Sequence, residues 1–305
     1  MIDMEQLNIS PVFLRTFRKA YELKNFTETA RKLGMTQSGV SQHIGQIEAV
    51  LKAPLFERVG RALSPTRVGD RMYSFAGNWL SQMEDTVREI REGEQMLSGR
   101  ITLGAPGSFG AFVLKPLVNW QAKNPGLVIE FEYGPNSVME RELKTGRMDI
   151  AVTSEPLDAR NFINEEFFKQ EFILVSHPSI QPRLASWEEF CSNPFIDYVG
   201  SENIFQKWIG AHYKKRIDPQ QQLNFRVRVN NMESIFVLLE QKVGVTIFPK
   251  EPLLEFIRTK KLKMHKTGKV VENPLYLVSR QGQIFSRRIK ALREQILLHA
   301  SPNKL

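Results

Sequence analysis

Residues 25–51 constrain the fold of this chain more than any other stretch, because they hold two short helical patterns joined by one tight turn. Thr27 is a good N-cap for the first helix, and Phe26 before it can pack back as a staple. Gly34 stops that helix, since the left-handed conformation needed there carries no steric cost for glycine. Thr36 then caps a second helix running to about Val50. At 100° per residue, Val40, Ile44, Ile47 and Leu51 fall within about 60° of one another and form a buried stripe. Ser38, Gln42, Gly45 and Ala49 lie on the opposite side, flanked by Gln37 and Ser41. That outward face is small and uncharged but rich in amides and hydroxyls. Ala30 at the helix crossing, Gly34 at the turn and Val40 beyond it meet the steric needs of a helix-turn-helix.

The next segment narrows the reading. Pro54-Leu55-Phe56-Glu57-Arg58-Val59-Gly60-Arg61-Ala62-Leu63-Ser64-Pro65-Thr66 reads as a β-hairpin turning at Gly60, with Arg58 and Arg61 near its tip. A cationic hairpin directly after such a helix has the geometry of a wing, which can meet phosphates or enter a minor groove. Amides and hydroxyls on the preceding helix suit base edges, glutamine pairing with adenine and serine serving several bases. The formal net charge of +9 fits a polyanionic partner. It does not locate the site, since residues 99–305 are basic as well.

Residues 66–96 read as one long helix of about 45 Å at 1.5 Å per residue, ending at Leu97-Ser98-Gly99 as a stop and hinge. Val68, Met72, Phe75, Trp79, Met83, Val87 and Ile90 recur along it at three- and four-residue steps. So long an apolar stripe needs a partner along its length, and a dimer interface supplies one. From Arg100 strands and helices alternate, which predicts an α/β region with largely parallel sheets. Strands are expected at Ile101–Leu103, Val128–Tyr133, Ile150–Val152, Phe172–Ser176, Phe195–Tyr198, Phe225–Val229, Val245–Phe248 and Leu275–Ser279, and a helix at about Ala111–Ala122.

With these residues in view, the sequence resembles the LysR-type transcriptional regulators over nearly its whole length. The resemblance is strongest in NFTETARKLGMTQSGVSQHIGQIE and PLFERVGRALSPTRVG. It implies an α/β chain with an N-terminal winged helix-turn-helix (1–65), a linker and dimerisation helix with a hinge (66–99), and an effector-binding domain (100–305). That last domain would be of periplasmic-binding-protein type, with subdomain I at about 100–162 and 270–300 and subdomain II at about 163–269. Thr36, Gln37, Ser38, Ser41 and Gln42 would contact DNA, with Arg58 and Arg61 on the wing. Where the family usually has Pro-Ala this chain has Ser38-Gly39, and where it often has Arg this chain has Gln42, so a target sequence cannot be borrowed from relatives.

By the same resemblance a small-molecule effector would lie between the subdomains, facing turns that precede helices, where backbone N–H groups converge. Ser108, Phe109, Asn136, Ser201, Asn203 and Asn231 are the expected contacts. The implied function is a sequence-specific regulator of double-stranded, palindromic promoter DNA, acting as a homodimer or homotetramer under effector control. An architectural DNA binder without a metabolite-sensing role is the second reading. No catalytic residue, metal site or cofactor is expected. The five histidines are scattered, and no Gly-rich phosphate loop or Gly-x-Ser-x-Gly elbow occurs. The lone Cys191, the absence of a signal-like start and the lack of a long apolar run point to a cytoplasmic, non-membrane protein.

Overall fold

The computed structural model describes residues 9–59, 62–92 and 97–300. The chain begins with α1 (Pro11–Leu23), α2 (Phe26–Leu33) and α3 (Gln37–Leu51), followed by the hairpin β1 (Phe56–Val59) and β2 (Ala62–Pro65). Asn25, not Thr27, caps α2: its side chain accepts from Glu28 N, and Thr27 lies inside the first turn. Gly34 ends α2 at φ +65°, as expected of a left-handed C-cap. Leu14, Phe17, Ala20, Ala30, Val40, Ile44, Ile47 and Leu55 form one core with Met72, Tyr73, Ala76 and Leu80 of the next helix.

That helix, α4, runs Arg67–Glu92, and the expected extension over 93–96 lies outside the described residues. Its apolar positions share one broad face, of which the N-terminal core covers only the first part. Met72, Tyr73, Ala76 and Leu80 turn inward, whereas Phe75 and Ile90 remain 52% and 77% exposed, with Val87 also exposed. The N-terminal core buries this face only as far as Leu80, so Val87 and Ile90, which continue it, are exposed beyond that core.

The remainder comprises β3 (Gly99–Ala105), α5 (Gly107–Ala122), β4 (Leu127–Tyr133), α6 (Asn136–Lys144), β5 (Ile150–Thr153), β6 (Phe162–Ser176), α7 (Trp187–Ser192), β7 (Phe195–Tyr198) and α8 (Glu202–Tyr213). Then follow α9 (Pro219–Gln222), β8 (Phe225–Val229), α10 (Met232–Glu240), β9 (Val245–Pro249), α11 (Leu254–Arg258), β10 (Lys263–His265), β11 (Val271–Arg280) and α12 (Arg287–His299). The strands hydrogen-bond in the order β4-β3-β5-β11-β6-β9-β7-β8, with β10 on β6.

The outer pairs β3·β4, β3·β5, β7·β8 and β7·β9 are parallel, as the alternating pattern implied. The centre is not: β6 and β11 are antiparallel to each other and to their other neighbours. Residues 162–171 and 271–274 carry Glu, Asn, Gln and Lys, and so show none of the apolar run that marks a buried parallel strand. They nevertheless extend both central strands across the molecule. Phe168, Leu275 and Leu277 enter one apolar core, and Phe172–Val175 and Val271 enter another. The crossing from one body to the other therefore falls at about residues 169–171 and 272–274, inside these strands.

His265 on β10 is buried and shares a 2.7 Å hydrogen bond with Ser176 Oγ. Burial pushes its imidazole down to about 4. The unfolded chain would take up that proton near pH 6.5, so stability should fall as pH drops from about 6.5 towards 4. Denaturant melts at stepped pH check this: His265→Gln should flatten the slope in that window, and an unchanged slope would reassign it to other groups.

Candidate nucleic-acid interface and inter-body cleft

The α3 helix is held from behind. Thr36 Oγ1 caps it by accepting from Gly39 N at 3.1 Å. His43 Nδ1 lies 2.9 Å from Thr16 Oγ1 and its ring packs on Phe13, which ties α3 to α1. At its end Glu48 Oε1 accepts from Leu55 N at 2.6 Å, so α3 also positions the start of the hairpin. Val40, Ile44 and Ile47 are buried as the wheel required.

The opposite face is open. Thr36, Gln37, Ser38, Ser41, Gln42, Gly45 and Gln46 are all exposed. The side chains of Gln37, Ser41 and Gln42 make no hydrogen bond to another described residue, while Ser38 Oγ lies 3.0 Å from Thr36 Oγ1. A Cβ on Gly45 would meet nothing within 4 Å, so a second molecule can approach the backbone there. Arg58 is exposed on β1, whose register with β2 pairs it with Leu63. Gly60 and Arg61, the expected tip, lie outside the described residues. The arrangement sets amides and hydroxyls of one helix beside a cation on a hairpin, residue types whose chemistry suits base edges and phosphates.

The effector candidates fall differently. The α5 helix begins at Gly107, four residues before the expected Ala111, so Ser108 and Phe109 sit in its first turn and not on a loop. Phe109 is buried in the aromatic cluster of Phe112, Phe167 and Phe168 and is corrected from a ligand contact to a core residue. Ser201 is likewise fully buried; its hydroxyl donates to Asp197 Oδ1 at 2.6 Å and braces the turn after β7. Asn231 caps α10 by accepting from Ser234 N at 2.8 Å. Ser108 is half-buried.

Asn136 and Asn203 are brought to one place. Asn136 Oδ1 accepts from Ser154 N at 3.1 Å, and its Nδ2 donates to Ser154 Oγ at 3.2 Å. Asn203 Nδ2 donates to Glu155 Oε1 at 3.2 Å, linking α8 to the turn after β5. Asn273 on the crossing strand β11 donates to Ser154 O at 3.0 Å and accepts from Lys207 Nζ. Ser154, Glu155, Lys207 and Asn273 thus complete the meeting place of the two bodies, and the sequence reading missed all four. A signal existed for the first two, since Ser154-Glu155-Pro156 follows the fully buried strand β5. Lys207 is the one Lys or Arg in α8, among other polar residues of a mixed helix, which patterning reads as a solvated face.

A separate cavity of about 650 Å³ lies beside the crossing strands, lined in part by Phe167, Phe168, Lys250, Glu251, Leu254 and Glu272. No expected effector residue lines it. Burial raises the Glu251 carboxyl above its ordinary range, and Lys250 pairs with Glu171 at 2.5 Å. Among the described residues no cluster of His, Cys, Asp and Glu could hold a metal, and no helix is long and apolar enough to cross a membrane.

Likeness to known proteins decides the family. Residues 13–70 match the bacterial regulatory helix-turn-helix protein, lysR family, and residues 94–301 match the LysR substrate binding domain. The chain belongs to the LysR family of transcriptional regulators. Among curated members, it is 23% identical over 302 residues to the probable RuBisCO transcriptional regulator of Phaeodactylum tricornutum, covering 93% of this chain and 97% of that one. It is 26% identical to the regulator DgdR of Burkholderia cepacia, over 170 residues that span 55% of this chain and 56% of DgdR.

The fold matches ArgP from Mycobacterium tuberculosis with a TM-score of 0.79 at 17% identity, covering 95% of this chain and 97% of that chain. It also matches the full-length LysG of Corynebacterium glutamicum, solved with bound effector Arg, at a TM-score of 0.70 and 15% identity, covering 95% and 98%. As a LysR-type protein the chain is a DNA-binding regulator with an effector-binding domain, and not an enzyme. The architectural reading has no support beside a substrate-binding domain that matches two thirds of the sequence.

Proposed function

We propose that this LysR-type regulator acts in the cytoplasm as a homodimer or homotetramer on palindromic double-stranded DNA. Thr36, Gln37, Ser38, Ser41 and Gln42 read base edges, and Arg58 and Arg61 hold the backbone through the wing. The observation that carries this reading is the exposed amide and hydroxyl face of α3, on which the side chains of Gln37, Ser41 and Gln42 bond no other described residue. Exposed Phe75, and Val87 and Ile90 where the apolar face of α4 runs on past the N-terminal core, are free for a partner copy, which would space two recognition helices along one duplex. The domain division is a winged unit to residue 65, a linker helix and hinge to 99 and an effector region thereafter.

In the effector region, Asn136, Ser154, Asn203, Lys207 and Asn273 form the ligand-contacting set, joined by Ser108. Lys207 donates to a neutral carbonyl oxygen there, and an ammonium so placed favours a small organic carboxylate. Two measurements test the proposal together. Selection of bound fragments from sheared genomic DNA should enrich one sequence with two-fold symmetry. A thermal-shift screen of small carboxylates should give a saturating rise, since a ligand at 100 times its Kd adds about 2.7 kcal/mol. Lys207→Ala should remove that rise. Enrichment of no shared sequence would overturn the DNA reading, and a rise that persists in Lys207→Ala would overturn the ligand set.

A further inference from the structure

The two ends of α6 touch two different parts of the molecule. At its N-terminus Asn136 grips Ser154 through both side-chain atoms, inside the meeting place of the two bodies. At its C-terminus the turn Thr145-Gly146-Arg147 lies directly against α4 of the DNA-binding unit. Gly146 has φ +70°, and a Cβ there would stand 2.8 Å from Asn78 Oδ1, so glycine at this turn permits the close approach without strain. Gly77 faces the same turn: its Cβ would lie 3.5 Å from Thr145 O and 3.4 Å from Arg18 Cζ. Tyr73 of α4 lies near enough to Arg147 to help hold its guanidinium charged, after the larger effect of Glu142. Tyr73 stacks on Tyr21 with centroids 4.0 Å apart, and the Arg18 guanidinium sits 5.1 Å from the Tyr73 ring centroid.

The turn is stiff on its own side. Arg147 Nε and Nη2 donate to the two Glu142 oxygens at 2.6 and 3.1 Å. Arg280 on the crossing strand donates to Leu143 O at 3.0 Å and Met148 O at 2.8 Å, pinning both sides of the turn. The nine residues of α6 therefore form a rod of roughly 13 Å between the cleft and α4. The contact it makes on α4 is close in shape but poor in polar pairing. Asn78 Oδ1 and Arg18 Nε are both buried there without a hydrogen-bond partner. Separation would return them to water, so the docked arrangement competes with an undocked one and the surface is suited to open and close.

We propose that α6 is the link by which the effector region sets the position of the DNA-binding unit, docking its Thr145–Arg147 turn on α4 in one state and releasing it in another. This rests on the cleft reading above, because only there does the Asn136 end meet a ligand. A shift at Ser154 would move Asn136, and the rigid helix would carry that movement to Gly146. Two packed arrangements that differ at both ends of one element are what coupling between distant sites requires.

Amide hydrogen exchange on the full-length protein, without ligand, tests the docking and the transmission. Gly77→Leu fills the contact while strengthening helix propensity, so it should fold and undock, raising exchange across residues 139–148 at least fivefold. Gly77→Ala meets only ordinary contacts and should stay at the wild-type rate. Asn136→Ala, at the far end of the rod, should raise exchange across residues 70–79, and Asn231→Ala should not. On DNA selected by the wild type, Gly77→Leu should change affinity at least threefold with Gly77→Ala unchanged. Wild-type exchange at 139–148 in Gly77→Leu, or an Asn136→Ala effect confined to residues 133–140, would overturn the link. Failure of the wild type to bind DNA or carboxylate would instead strike the functional reading and leave the exchange result standing on its own.

Discussion

Replacing Gln37 and Gln42 together by alanine lowers affinity for the selected sequence by about 1–3 kcal/mol for each bidentate amide–base interaction removed, roughly 5- to 150-fold apiece. Binding to random duplex barely moves. The reason is the split visible on α3: the aliphatic side belongs to the core, so the helix itself does not shift when exposed amides are truncated. Arg58→Ala behaves oppositely, weakening all sequences alike and reducing the salt dependence by about one phosphate's worth. Fluorescence anisotropy at several salt concentrations separates the two. An equal drop on selected and random DNA in the glutamine double variant would show that these residues do not read bases.

Gly69→Ala uncouples the winged unit from its linker. A Cβ at position 69 would lie 2.3 Å from Leu55 O and 3.3 Å from Leu55 C. Neither side can yield easily. Leu55 is fully buried, its N–H is held by Glu48, and its carbonyl already accepts from Thr66 N at 3.0 Å. Thr66 in turn caps α4 by accepting from Gly69 N at 3.0 Å, so the intruding methyl pushes on the first turn of the long helix. Overpacking against backbone of this kind costs about 1–3 kcal/mol or more, and urea unfolding should show a lower midpoint for the N-terminal unit. Gly45→Ala is the informative contrast. Its Cβ meets nothing, and an exposed helix interior gains up to ~1 kcal/mol from the change. The same methyl points at the duplex, so stability should hold or rise while DNA affinity falls. Unaltered DNA binding in Gly45→Ala would place the duplex on another face.

How much was legible beforehand depends on the range of the interactions. The α2–α3 pair was readable because its determinants are local: Gly34 needs no partner to turn left-handed, and the stripe Val40, Ile44, Ile47 repeats within one helix. The cap at Asn25 was missed for Thr27 because both residue types accept from a backbone N–H, and which one does so depends on the path of the chain out of α1. The start of α5 was missed because Gly107 and Pro106 read as a loop, although proline before a first turn also suits a helix entry. Ser201 and Phe109 were expected to face a ligand because each stands near a helix start. Only packing shows that one braces Asp197 and the other fills an aromatic cluster.

The sequence by itself determined the inward and outward faces of α3 through periodicity and turn chemistry within a few residues, and the order of units and the family through the resemblance its motifs carry. The tertiary structure alone decided the rest. It crossed the bodies through the polar strands β6 and β11, gathered Ser154, Glu155, Lys207 and Asn273 from separate elements, and laid Gly146 against Asn78. The hydrogen bonds of that gathering join residues 48 to 119 positions apart in the chain, and no local pattern records a pairing that only the closing of the sheet creates.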